Sequence, residues 1–161
     1  MVDRLDALCI AGAASSGIAA GVCFAFSNFV MPGLRRTPPS GGMEAMQAIN
    51  RAVYNPLFMV GFLGSTAVGV VALIVALIAP IATDDAHVST WLAIAGLLQV
   101  LGIFVVTAAG NVPLNNRLDR TAPHDPLAPA LWAHYLRVWT NWNHLRTVAG
   151  GLAAIAYCLA I

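Results

Sequence analysis

Four apolar stretches, each long enough to cross a bilayer as a helix, constrain this chain more than any other feature. A helical crossing needs about 20 residues. The first stretch runs from about Leu5 to Met31, and Pro32-Gly33 is expected to end it. Its first turn holds Asp3, Arg4 and Asp6 rather than a basic cluster, so it reads as a retained span, not a signal peptide. The second begins near Pro56, a favourable first-turn residue, and reaches Ala79 before Pro80. The third covers about Val88 to Ala109, with Gly110 where a C-cap is expected. The fourth is the apolar end of a longer helix starting near Ala130, its membrane part beginning at about Leu145. Roughly 30 residues give a rod of about 45 Å, so its first half is expected to project beyond the hydrocarbon.

With 59% apolar and 9% charged residues, the chain cannot be a soluble globular enzyme, a disordered tail or a nucleic-acid binder. The expected fold is all-α: a four-transmembrane-helix bundle over residues 1–161 as a single domain, with the fourth helix extended beyond the membrane. Cys9, Cys23 and Cys158 all sit in apolar runs and read as small packing residues rather than a disulfide or zinc framework. Ala13, Gly17 and Gly21 repeat every four residues, a pattern that predicts close helix packing and makes a homodimer conceivable.

Every basic residue is Arg, and the arginines are unevenly spread. Arg35, Arg36 and Arg51 lie in the loop 32–55, and Arg117, Arg120, Arg137 and Arg146 follow the third span. The other side holds Arg4 with Asp3, Asp6, Asp84 and Asp85. The positive-inside rule therefore places loops 32–55 and 111–144 in the cytoplasm and both termini outside. The 81–87 connection reads as a solvated turn.

Polar residues gather on the arginine side. Between Gly41 and Pro56, Met43, Met46, Ile49 and Val53 recur at helical spacing and predict a short amphipathic helix in the first cytoplasmic loop. Gln47, Asn50 and Tyr54 could line one edge of a cavity. Asn111, Asn115 and Asn116 crowd the end of the third span; they suit C-capping and turns, or an amide offered to a ligand. A helical wheel of the last segment puts Trp139, Trp142, Asn143 and Arg146 with the small residues Ala149, Gly150 and Ala153, hence inside. Leu145, Val148, Leu152, Ile155 and Leu159 fall on the lipid side with His134, Arg137 and Asn141, and His144 sits on a shoulder. Arg146 stands out, because an arginine left to lipid costs about 2.5–3.5 kcal/mol. The only carboxylates near enough to pair with it are Glu44 and Asp119.

Phe24-Ala-Phe-Ser-Asn-Phe-Val-Met-Pro32, Ile49-Asn50 with Asn55-Pro56, Asn111-Val-Pro-Leu-Asn115 and Trp139-Thr-Asn-Trp-Asn143-His-Leu-Arg-Thr147 together resemble the anthrone oxygenase-like membrane family, DUF1772. The resemblance spans nearly the whole chain. It implies a four-helix membrane bundle and, most simply, a bacterial inner-membrane location. Some fungal members oxidise anthrones to anthraquinones with O2 as co-substrate and apparently without metal or flavin, so no cofactor is expected. It directs attention to Asn50, Asn111, Asn115, Trp139, Trp142, Asn143 and Arg146.

Such chemistry needs an apolar slot, donors for an enolate oxygen and a base. Trp139 and Trp142 could form the slot, with Asn50, Asn111, Asn115 and Tyr54 as further substrate contacts. Arg146 and Asn143 could stabilise the oxygen, and His144 is the candidate base. A metal site is disfavoured, because His134 and His144 are ten residues apart on one helix, about 15 Å of rise. The expected partners are the lipid bilayer and a small apolar aromatic substrate. The alternative is a non-catalytic membrane protein that holds a quinone-like or lipid ligand.

Overall fold

The computed structural model describes residues 4–82 and 86–161, so Asp3, Asp84 and Asp85 lie outside the described residues. The described residues form helices and short connections. Helix α1 spans Arg4–Arg35, α2 Pro39–Ala52, α3 Pro56–Ala82, α4 Ala86–Asp119 and α5 Ala128–Leu159. Three of them are long and apolar enough to cross a membrane: α1, α3 over Pro56–Ile78, and α4. Helix α5 has 32 residues, about 48 Å. Its apolar half starts only after Arg146, and the half before it carries four arginine and histidine side chains, His134, Arg137, His144 and Arg146.

Two expected stops are not stops. Helix α1 does not end at Pro32-Gly33 but continues to Arg35. A π-helical turn at Phe26–Val30 ends two residues before the proline. Proline in a regular helix clashes with the carbonyl four residues back, and a π-turn shifts those carbonyls out of register. Helix α4 likewise passes Gly110, with π-helical stretches at Leu98–Val105 and Thr107–Asn111. Gly110 is not a C-cap, and among the described residues no φ is positive. It is a close-approach site: a Cβ there would lie 2.8 Å from Cγ and Cδ2 of Trp142.

Helices α1 and α5 pack antiparallel along most of their length. Successive contacts pair Gly12 with Tyr157 and Gly150 with Ala20, Asn143 with Cys23, and Phe26 with Trp139. Helix α4 lies against the neighbouring side of α5, through Gly102 and Ala149, Gly110 and Trp142, and Asn115 and Tyr135. Of the expected small-residue stripe, Ala13 packs against buried core residues, whereas Gly17 and Gly21 have nothing within 4 Å of a would-be Cβ. Gly12, next to Ala13 on α1, makes the approach to Tyr157, and Gly150, on the expected inner face of α5, makes the one to Ala20.

The interior divides into two cores. One is built of Cys9, Ala72, Ala76, Leu92, Ala95, Ala156, Tyr157 and Ala160, mostly small residues that let helices approach closely. The other is built of Met31, Met43, Met46, Leu118, Trp132, Tyr135, Leu136 and Trp139, larger side chains from α1, α2, α4 and α5. Helix α3 contributes only to the first. Helix α2 starts two residues earlier than expected and ends at Ala52, burying Met43, Met46, Gln47 and Asn50. Gln47 donates to the carbonyls of Leu118 (2.8 Å) and Thr121 (3.0 Å), which ties α2 to the end of α4 rather than edging a cavity.

A buried polar knot holds the small-residue core. Gln99 donates to Ser65 at 2.7 Å and Ser15 at 3.2 Å, and accepts from the Tyr157 hydroxyl at 2.6 Å. One amide thus links α1, α3, α4 and α5. Gln99→Leu strips a partner from three hydroxyls at once, whereas Tyr157→Phe removes a single donor. Denaturant unfolding in detergent should show Gln99→Leu destabilised by about 1–2 kcal/mol and Tyr157→Phe by less. Equal losses in the two variants would contradict the role of Gln99 as partner to all three hydroxyls.

Candidate functional site

Between the two cores lies a cluster of polar groups centred on Arg146. The α5 sequence places it there, because Trp139, Asn143 and Arg146 are four and three residues apart and share one face. Asn143 is 1% exposed. Its Nδ2 donates to the Cys23 carbonyl and to Ser27 Oγ at 2.7 Å. Ser27 sits in the π-turn of α1 and Cys23 in the regular helix just before it. Asn143 Oδ1 accepts from Arg146 Nη2 at 2.6 Å, and Arg146 Nη1 donates to Thr107 Oγ1 at 3.2 Å. Thr107 opens the second π-stretch of α4.

The Arg146 guanidinium carbon stands 5.3 Å from the centroid of the Trp139 ring. A cation over an indole face is worth about 0.5–2 kcal/mol, more when desolvated. Trp139 is itself fixed. Its Nε1 donates to Asn115 Oδ1 at 2.8 Å, and the Tyr135 hydroxyl donates to the same oxygen at 2.8 Å. Trp132, Tyr135 and Trp139 form a stacked column with centroid separations of 5.6 and 6.0 Å. Burial pushes the Tyr135 hydroxyl above its ordinary range, so it stays protonated as a donor.

The hydrogen-bond partners of the guanidinium, Thr107 and Asn143, are neutral. The carboxylates considered from sequence are engaged elsewhere: Asp119 pairs with Arg51 at 2.7 Å, and Glu44 stands 3.8 Å from His124. Several polar atoms here are buried with no hydrogen-bond partner among the described residues: Arg146 Nε, Asn111 Oδ1, Asn50 Nδ2 and Thr140 Oγ1. Such atoms are rare and each calls for a water or a ligand. Asn111, 1% exposed, spends its Nδ2 on the Trp139 backbone carbonyl at 3.2 Å, leaving its oxygen buried without a partner.

The structure thus brings together Asn111, Asn115, Trp139, Asn143 and Arg146. Asn111 and Asn115 are neither caps nor turn residues; they are one turn apart on a continuing helix and both serve Trp139. Asn50 is buried facing Tyr135. Three expected residues fall outside. Tyr54 is 64% exposed, because α2 ends before it and the helical spacing no longer applies. His144 is exposed on the outer side of α5, away from the guanidinium. Trp142 is 41% exposed and lies against Gly110 instead of walling the cluster with Trp139. Cys23, Ser27 and Thr107 were missed by sequence reasoning; Ser27 and Thr107 lie in π-helical stretches, which residue spacing does not foretell. The expected hollow beside Arg146 is also displaced: cavities of about 510 and 330 Å³ open on the outer side of α5, and Arg146 lines neither.

Gly110→Ala tests the Trp142 packing. The new Cβ forces the indole off α4, with an expected loss of about 1–3 kcal/mol in unfolding free energy. In a Trp142→Ala background the same change should cost almost nothing; an undiminished cost there would mean that the clash lies elsewhere.

Fold and site together define a helical integral membrane protein with a shielded cation at the junction of two cores. The chain belongs to the anthrone oxygenase family, whose model matches residues 57–156. That stretch contains Asn111, Asn115, Trp139, Asn143 and Arg146 and excludes the α1 and α2 partners. No curated protein and no solved structure matches the chain.

Proposed function

We propose that this protein is a membrane-embedded oxygenase of the anthrone oxygenase type. It oxidises a flat, polycyclic phenolic ketone with O2 by way of the enolate, whose oxygen is held by Arg146. The observation that carries the proposal is the half-buried guanidinium with neutral hydrogen-bond partners and a buried, unpartnered Nε. A desolvated positive charge without a counter-ion favours any ligand that can become an anion in place.

The reaction balances without an outside electron donor. The benzylic CH2 of the ketone gives up a proton to solvent, and the enolate that remains passes one electron to O2. Superoxide and the carbon radical combine to a peroxide, which takes up a proton and loses water to leave the second carbonyl. One ketone and one O2 thus give one quinone and one water. Arg146 and Asn143 hold charge on oxygen, Asn115 keeps Trp139 in plane, and Asn111 offers an acceptor to a substrate hydroxyl. No protein base enters this scheme, since the cation lowers the acidity barrier of the bound ketone itself. Apolar substrate arrives from the lipid past Trp142, whose indole must swing off Gly110.

In this reading α5 is the fourth crossing from about Leu145. Loops 32–55 and 111–144 face the cytoplasm of a bacterial inner membrane and both termini lie outside, as the arginine distribution supports. The exposed position of His144 favours a second reading, in which the cluster binds a quinone-like or lipid ligand without turning it over.

Oxygen uptake by the purified protein with a panel of hydroxylated polycyclic ketones separates the two. The oxygenase reading expects one O2 consumed per quinone formed, and its collapse in an Arg146→Ala, Asn143→Ala double variant. Turnover surviving in that variant, or ligand binding without uptake in the native chain, would overturn it.

A further inference from the structure

One face of α5 stays open along its length, and its chemistry changes in order. Near the start, the cavity of about 510 Å³ opens between α5 and the end of α4, with Arg117, Thr121, Leu131 and His134 in its lining. Arg117 and His134 are exposed. Asp125 also borders it, with its Oδ1 accepting from the Leu127 N–H at 2.8 Å. Among the described residues the ion pairs at this end are Arg51–Asp119 and His124–Glu44, which leave Arg117 and Arg137 to an outside anion.

One to two turns further along lies the cavity of about 330 Å³, lined by Val138, Asn141, Trp142 and Leu145. Beyond it the face is aliphatic, with Val148 58% and Leu152 49% exposed. Steps of three and four residues keep His134, Arg137, Asn141, Leu145 and Val148 on one side of the helix. From His134 to Val148 is 14 residues, about 21 Å of rise. Basic groups, then an amide and an indole, then aliphatics is the profile of one phospholipid molecule read from phosphate to tail.

We propose that this face binds an anionic phospholipid, with its phosphate in the larger cavity on Arg117 and His134 and its acyl chain along Trp142, Leu145 and Val148. The site is separate from the Arg146 cluster and does not depend on any oxygenase activity. Native mass spectrometry of the full chain in detergent tests it, with phosphatidylglycerol and phosphatidylcholine of the same acyl composition and inorganic phosphate as competitor. Phosphatidylglycerol should bind about tenfold more tightly than phosphatidylcholine, and inorganic phosphate should fail to displace it. An Arg117→Ala, His134→Ala double variant should lose that preference while keeping the native melting midpoint, since both side chains are exposed. Equal binding of the two lipids, an unchanged preference in the variant, or displacement by inorganic phosphate would each overturn the proposal.

Discussion

Replacing Arg146 by Ala should lower the rate of O2-dependent ketone oxidation by about 10²–10³-fold, the usual cost of losing one donor to a developing oxyanion. The guanidinium uses Nη1 for Thr107 and Nη2 for Asn143, and keeps Nε free beside the Trp139 face. Arg146→Lys should fall between native and Ala. An ammonium restores the charge but not a planar fork able to serve two fixed partners and a ligand together. Initial rates at saturating substrate decide the point. Equal rates for the Lys and Ala variants would mean that charge is not what the site supplies. The folded state should survive in both, because the deleted cation leaves Asn143 still tied to α1 through the Cys23 carbonyl and Ser27.

The largest stability effect is expected at Trp139. This indole is 5% exposed, packs against Phe26 and Tyr135, and donates to Asn115. Trp139→Ala should cost about 3–5 kcal/mol, the range for truncating a large buried aromatic. It also removes the face over which Arg146 rests. Trp139→Phe keeps an aromatic face and loses one N–H donor, while Tyr135 still satisfies the Asn115 oxygen; about 1 kcal/mol is expected. Denaturant titration of the two variants measures the contrast. A Phe variant as unstable as the Ala variant would shift the weight from ring packing to the hydrogen bond.

Part of this architecture was legible in the residues. On α5 the 3.6-residue period separates lipid-facing Val148, Leu152, Ile155 and Leu159 from buried Ala149, Gly150, Ala153 and Tyr157, and the structure exposes and buries them accordingly. The same period put Asn143 and Trp139 inside. Trp142 lay at the edge of that face, where the wheel alone cannot distinguish a cavity wall from a ring turned onto a neighbouring glycine. Gly110 settled it, through a close approach between helices that sequence spacing does not encode.

What could not be read was the continuity of α1 and α4. Pro32 and Gly110 are ordinary helix terminators, and the π-turns that carry the chain past them leave no local signature. Once α4 is known to continue, Asn111 and Asn115 cease to be turn residues and become neighbours on one face. Tyr54 failed in the opposite way: the helical spacing that linked it to Asn50 outran the helix itself. His144 was chosen as a base for its chemistry, although its position on the wheel already leaned outward.

The central claim is that the Arg146 guanidinium favours the ionised form of a bound ketone. The absorption band of the enolate, followed against pH under anaerobic conditions with a hydroxylated anthrone bound to the purified protein, tests it directly. A cation beside the oxygen stabilises the anion, so ionisation of the bound ligand should shift to lower pH than in the free ligand. That shift should vanish in Arg146→Ala. A ligand that ionises at the same pH bound or free, or one that keeps its shift without the guanidinium, would contradict the account.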